Sequence, residues 1–181
     1  LLLVTLLPLS ATAEEGAEDK NEGFSKEQVM EKAGAFFGET SKGLASAIEK
    51  VFEEQGESNA IVVGEEVSAA IVVGLRCGRG ELQMLDGETR AIFWQGPSVG
   101  FDMGGNASKV FTLIYNLDDA ETLYQRFPGV EGGVYYAAGV GVNYLRSGDT
   151  VVAPIRTGVG LRTGANVGYL QFTKEASWNP F

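Results

Sequence analysis

At 181 residues, 44% of them hydrophobic, the chain is long enough for one domain with a substantial core and too short for two large ones. A single cysteine, Cys77, excludes an intramolecular disulfide, and the lack of any histidine removes the commonest general base, the Ser/His/Asp and Cys/His pairings and most zinc ligand sets. The net charge of −10 is lopsided, with fourteen acids against five lysines from Glu14 to Glu66 and ten acids against nine bases, seven of them arginine, from Val67 onward, so the basic patch of a nucleic-acid binder is not expected.

The chain opens with "LLLVTLLPLSATAEE", an apolar run that breaks at Pro8 and reaches an A-x-A step at Ala11 and Ala13 before an abrupt acidic turn. This reads as the end of a secretory signal peptide, residues 1–13, cleaved after Ala13. Residues 14–24 are acidic and almost free of apolar side chains, which predicts a disordered leader. Ser25 offers an N-cap with Gln28 three residues on, and Phe24 and Val29 stand at the positions of a hydrophobic staple, predicting a helix over 26–37. A second helix starts near Thr40 or Ser41, carries Leu44, Ala47, Ile48, Val51 and Phe52 on one stripe, and stops near Gly56. Together, residues 25–57 read as helices packed on something larger.

From residue 58 to 181 the period changes to β-branched runs punctuated by glycine, which predicts a domain of successive strands. "IVVG" occurs at 61–64 and again at 71–74, and the echo reads as two adjacent strands. Further strands are expected at about 89–104, 108–116, 132–146, 150–163 and 166–174. One helix should interrupt them, capped by Asp118 with Glu121 in a capping-box-like position and running to about Phe127 before Pro128 and Gly129.

The glycines of "TGVGLRTGANVGYLQF", at 158, 160 and 164, pose a choice between a phosphate loop and a sheet. Strand parity decides it. From Val151 to Thr163 the odd positions are mostly apolar, while the even ones hold Arg156, Gly158, Gly160 and Arg162. A phosphate loop needs a helix directly after its glycines, whose free N–H groups hold the anion, and here another alternating strand follows. Glycine at alternate positions instead marks the tight curvature of a small closed barrel.

Candidate ligand contacts are Arg76, Arg156, Arg162, Trp94 and Tyr136. Converging guanidiniums bind phosphate or carboxylate bidentately. Arg156 and Arg162 would lie about 20 Å apart along one strand, too far for a single phosphate, so an anion site requires an arginine from a neighbouring strand such as Arg146 or Arg76. The plainer expectation is that each arginine faces outward and pairs with a surface acid. The aromatics Phe93, Trp94, Tyr135, Tyr136, Tyr144, Tyr169 and Trp178 either line a glycan or lipid pocket or fill a core. Cys77, between Arg76 and Arg79, reads as a small structural thiol rather than an activated one. Asp102 has no acid beside it in sequence, so paired-carboxylate hydrolysis finds little support. No metal site and no cofactor are expected.

The stretches "GPSVGFDMGGNASKVFTLIYNL" and "AETLYQRFPGVEGGVYYAAGVGVNYL", and above all the terminal "GANVGYLQFTKEASWNPF", resemble the envelope integrity protein A family, a domain-of-unknown-function family of alphaproteobacteria. The resemblance spans about Gly38 to Phe181. It implies a soluble periplasmic protein, a mainly β fold with a small antiparallel barrel of about eight strands, short N-terminal helices and one inserted helix, and a role in maintaining the envelope with no catalytic residues to carry over. A more distant likeness, in "GPSVGFDMGGNASKVFTLIYNLDDAETL" and "IRTGVGLRTGANVGYL", is to SYLF lipid-binding domains, whose basic amphipathic N-terminal segment is acidic here. The expected partner is an envelope lipid, glycan or protein. The alternatives are an interaction module without a small ligand and a carboxylate-dependent periplasmic hydrolase.

Overall fold

Ser25 caps the first helix, α1 (Lys26–Phe37), by accepting from the Gln28 N–H, while the Gln28 side chain reaches back to the Ser25 N–H at 2.9 Å, so the expected capping box forms. Gly38 ends it with φ of 88°, a left-handed turn that glycine adopts without strain. Ser41 caps α2 (Lys42–Gln55) in the same way, and Leu44, Ala47, Ile48 and Val51 are buried on one stripe as their spacing predicts. The computed structural model describes residues 23–102, 107–157 and 168–177, with the backbone alone at 69–73 and 98–102. The proposed signal remnant, nearly all of the acidic leader, Gly158, Gly160, Arg162, Gly164 and Trp178 therefore lie outside the described residues.

The strands are β1 (Ala60–Met84), β2 (Thr89–Asp102), β3 (Ala107–Tyr115), β4 (Arg126–Ala137), β5 (Val140–Ser147), β6 (Thr150–Thr157) and β7 (Tyr169–Thr173). They close in the order β1-β2-β7-β4-β5-β6-β3 and back to β1, every pairing antiparallel. The expected antiparallel barrel is thus the architecture observed. Seven strands supply it among the described residues, because β1 serves twice: residues 60–67 pair with β3 and residues 70–83 with β2.

Three readings of local structure are corrected. Both "IVVG" copies lie in β1, not in adjacent strands. The intervening "EEVSAA" holds no glycine, proline, asparagine or aspartate to reverse the chain, which runs on as strand. The expected helix to Phe127 shrinks to a single 3-10 turn, Ala120–Leu123, whose cap is Asp119 rather than Asp118. Phe127 belongs to β4, pairs with Leu170 of β7 and packs edge-on against Phe172 at 5.9 Å inside the barrel. That pairing supplies the backbone hydrogen bonds a further helical turn would have made. The expected strand at 132–146 is two, β4 and β5, parted at Ala138 and Gly139, both with positive φ as a two-residue hairpin turn requires.

Side chains on the wall divide between two cores. Outside the barrel, Ile61, Phe111, Leu113, Val142, Val151, Ala153 and Ile155 pack against Val29, Ala33, Leu44, Ile48 and Val51 of the helices. Inside it, Val62, Leu82, Ile92, Trp94, Val110, Ile114, Leu123, Phe127, Val152, Leu170 and Phe172 form a separate cluster. The two helices do cover the barrel wall, as their apolar stripes predict. Gly43 of α2 lies so close to the β4–β5 turn that a Cβ there would come within 2.7 Å of the Ala137 carbonyl oxygen.

Candidate functional site

Strand alternation carries Glu66 of β1 and Arg156 of β6 to the barrel interior, since each shares parity with interior residues on its own strand, Val62 and Val152 respectively. Both are buried, and they meet. Arg156 donates from Nε to Glu66 Oε1 at 3.0 Å and from Nη2 to Glu66 Oε2 at 3.1 Å, a bidentate pair, while its Nη1 donates to Asn143 Oδ1 at 2.5 Å. Trp94 donates its indole N–H to Glu66 Oε2 at 2.8 Å. Arg76 lies behind, with Nη1 3.7 Å from Glu66 Oε1, close enough to pair by charge but too far for a hydrogen bond.

Glycines make room for this cluster. A Cβ on Gly78 would fall within the Trp94 ring, and one on Gly64 would run into the Arg79 carbonyl oxygen and come within 2.7 Å of the same ring. The indole therefore lies across two residues that have no side chains, which lets it reach Glu66 from β2. In the register of the sheet, Tyr136, Gly141, Arg156, Val110 and Gly64 form one row across β4, β5, β6, β3 and β1.

Burial alone would push the Glu66 carboxyl upward. The charges of Arg156 and Arg76 and the hydrogen bonds from Arg156 and Trp94 outweigh it, and hold the group at about 2 against an ordinary 4.5. Burial likewise lowers the Arg76 pKa; the Glu66 charge opposes that shift, and Arg156 adds to it. Burial raises the Cys77 thiol, and so does the Glu66 charge, so the thiolate is disfavoured despite two arginines beside it in sequence.

Of the five predicted contacts, Arg76, Arg156 and Trp94 come together. Tyr136 is 45% exposed and shares the Arg156 row with only Gly141 between them. Arg162 lies outside the described residues. The expectation that the arginines face outward is overturned for Arg156 and Arg76, whose side chains are only 8% and 14% exposed. Helices cover the apolar face of β6, so it is the opposite, arginine-bearing face that lines the interior. Arg146 is exposed and takes no part. The aromatic set does not line one pocket either: Trp94 is inside the barrel, Tyr135 and Tyr144 pack in the helix-covered core, and Phe93 and Tyr169 are half-buried in neither cluster.

The sequence reading missed Glu66 and Asn143. The signal for Glu66 was its phase: it falls two residues after Gly64, in step with the glycine that faces inward, just as Arg156 is in step with its own glycines. Asn143 carried the same signal, falling two residues after Gly141.

Residues 22–181 match the family model of envelope integrity protein A, also written EipA. The chain belongs to the envelope integrity protein A family. The EipA family ties it to envelope integrity. A crystal structure of a beta-barrel-like, uncharacterized protein from Brucella abortus is similar over 88% of this chain and 99% of its own, with 47% sequence identity and a TM-score of 0.81. No curated protein matches the chain. Among the described residues no helix is long and apolar enough to cross a membrane, and no three acidic or cysteine side chains gather as a metal site. The SYLF likeness rests on its two sequence stretches alone.

Proposed function

We propose that this EipA-family chain is a non-catalytic periplasmic barrel that supports the envelope by binding a lipid or glycan component at the polar end of its interior. The observation that carries the reading is the buried Glu66–Arg156–Arg76 cluster. Charges in an interior cost several kcal/mol each, roughly, unless their pairing is complete, and an apolar substitute is often as stable or more so. A binding role gives such a cluster a reason to persist inside a small barrel whose other end is filled by Leu123, Phe127 and Leu170.

Catalysis by carboxylates has weak chemical support. Glu66 is the only buried acid among the described residues, and two guanidiniums hold it ionised, which makes it a poor proton donor and a weak base. Both of its oxygens already accept from Arg156 or Trp94.

The test is native mass spectrometry of the protein expressed with its leader and purified from its own envelope. The expected result is a periplasmic chain beginning at Glu14 that carries a lipid or glycan mass released on denaturation. Recovery of the uncleaved chain from the cytoplasm overturns the location, and a periplasmic chain without adduct favours the interaction module.

A further inference from the structure

Resting on the binding reading above, we propose that Arg76 is the receptor for an oxyanion, a carboxylate or phosphate group, carried by the bound envelope component. Four observations converge on it. Both oxygens of the Glu66 carboxylate are held by other donors, Oε1 by Arg156 Nε and Oε2 by Arg156 Nη2 and the Trp94 indole. Arg156 is correspondingly satisfied, its charge matched by Glu66 and its remaining fork by Asn143. Arg76 is left over: it stands 3.7 Å from a carboxylate it does not hydrogen-bond, and its buried Nε finds no acceptor among the described residues. The residue paired with it across β2 is Gly96, so no side chain stands directly opposite Arg76 on that strand.

Among the described residues the cluster therefore holds two positive charges and one negative. A guanidinium 14% exposed, with an unused donor and, among the described residues, no counter-charge that it does not share with Arg156, is an incomplete ion pair. One bound oxyanion would complete it, giving two cations and two anions, and the planar fork of arginine suits either carboxylate or phosphate geometry. Glu66 and Arg156 are then positioning residues. The carboxylate draws Arg76 toward the interior by charge without occupying its donors, and Trp94 fixes the carboxylate.

The indole N–H of Trp94 donates to the carboxylate beside Arg76, so it reports on charge arriving there. The isotopically labelled full chain is titrated with inorganic phosphate, with glucuronate and with neutral glucose at constant ionic strength, following the indole resonance that Trp94→Phe removes. A saturable shift with phosphate alone points to a phosphorylated component, with glucuronate alone to an acidic sugar, and with both to a receptor indifferent between them. All three support the proposal provided glucose gives none. Arg76→Gln should weaken binding by about 10- to 100-fold, the range for losing hydrogen bonds to a charged group, and Arg76→Lys should restore part of it. Silence with both anions, or an unchanged affinity in a folded Arg76→Gln protein, overturns the proposal. Should Arg76→Gln fail to fold, the wild-type chain decides: an anion that binds the native state raises Tm above that in matched chloride, and equal Tm values refute binding. Silence from a protein that still carries a neutral envelope adduct removes the anion assignment alone. Silence together with no adduct removes the binding reading as well.

Discussion

The two faces of β6 are both buried, but against different things. Val151, Ala153 and Ile155 meet the helices outside the barrel, whereas Val152 and Arg156 meet the opposite strands inside it. The outer layer is apolar contact between a helix stripe and a wall, a kind of packing in which hydrophobic groups of similar volume substitute for one another. The inner layer depends on particular residues, because a small radius forces glycine beneath an indole and places charges where water is scarce. The difference shows that apolar periodicity tells which face of a strand is buried in hydrocarbon, and leaves open whether the other face is buried too.

The comparison breaks most visibly at Glu66. Glu66→Leu leaves Arg156 and Arg76 in the interior without a counter-charge, and should cost about 3–5 kcal/mol in urea unfolding, with Glu66→Leu/Arg156→Met recovering part of the loss. A neutral result would mean the cluster adds nothing to the inner layer. The same group sets an acid dependence. Its folded-state pKa lies below the ordinary value, so the stability it contributes is complete above about pH 4.5 and is lost as pH falls from there toward about 2. The difference between wild type and the double variant should shrink through that window, and a constant difference would assign the acid sensitivity to surface carboxylates.

How much of this could be read in advance follows the same division. The helices were legible to the residue at α1 because their signals are local: Ser25, Gln28 and Gly38 act within one turn, and the Leu44–Val51 stripe requires only that something apolar lie opposite. The barrel was legible as a class from its glycine-punctuated alternation and from family resemblance. Its details were not, because they are settled by contacts distant in sequence. Nothing near Phe127 says that Leu170 will claim it, and nothing near Glu66 says that Arg156, ninety residues on, will arrive at its carboxylate. Arg76, Arg156 and Trp94 could be proposed as one site from residue type, whereas their inward direction depended on knowing that helices cover the opposite face.

A smaller effect sharpens the inner layer. At Gly78 an added Cβ falls within the Trp94 ring, and the indole cannot withdraw without losing its hydrogen bond to Glu66. Gly78→Ala should cost about 1–3 kcal/mol by overpacking. In a Trp94→Leu background the clash is gone, so the double variant should be less destabilised than the two single costs combined. Strict additivity in chemical denaturation would show that the ring does not rest on Gly78.

The smallest effect belongs to the outer layer. Ile48 is fully buried on the α2 stripe among apolar neighbours from the helices and the barrel wall, with no charge among the side chains of that cluster. Ile48→Val removes one methylene and should cost about 0.5–1.5 kcal/mol, the usual range for that deletion. Its size matters less than its independence. Ile48 and Gly78 belong to different layers of the wall, so Ile48→Val and Gly78→Ala should add within about 0.5 kcal/mol, and Ile48→Val should leave both the Trp94 indole resonance and the acid window unchanged. A coupling well beyond that margin, or a shifted indole signal, would mean the strands transmit strain between their faces, and that the helices tune the polar cluster as well as cover the wall.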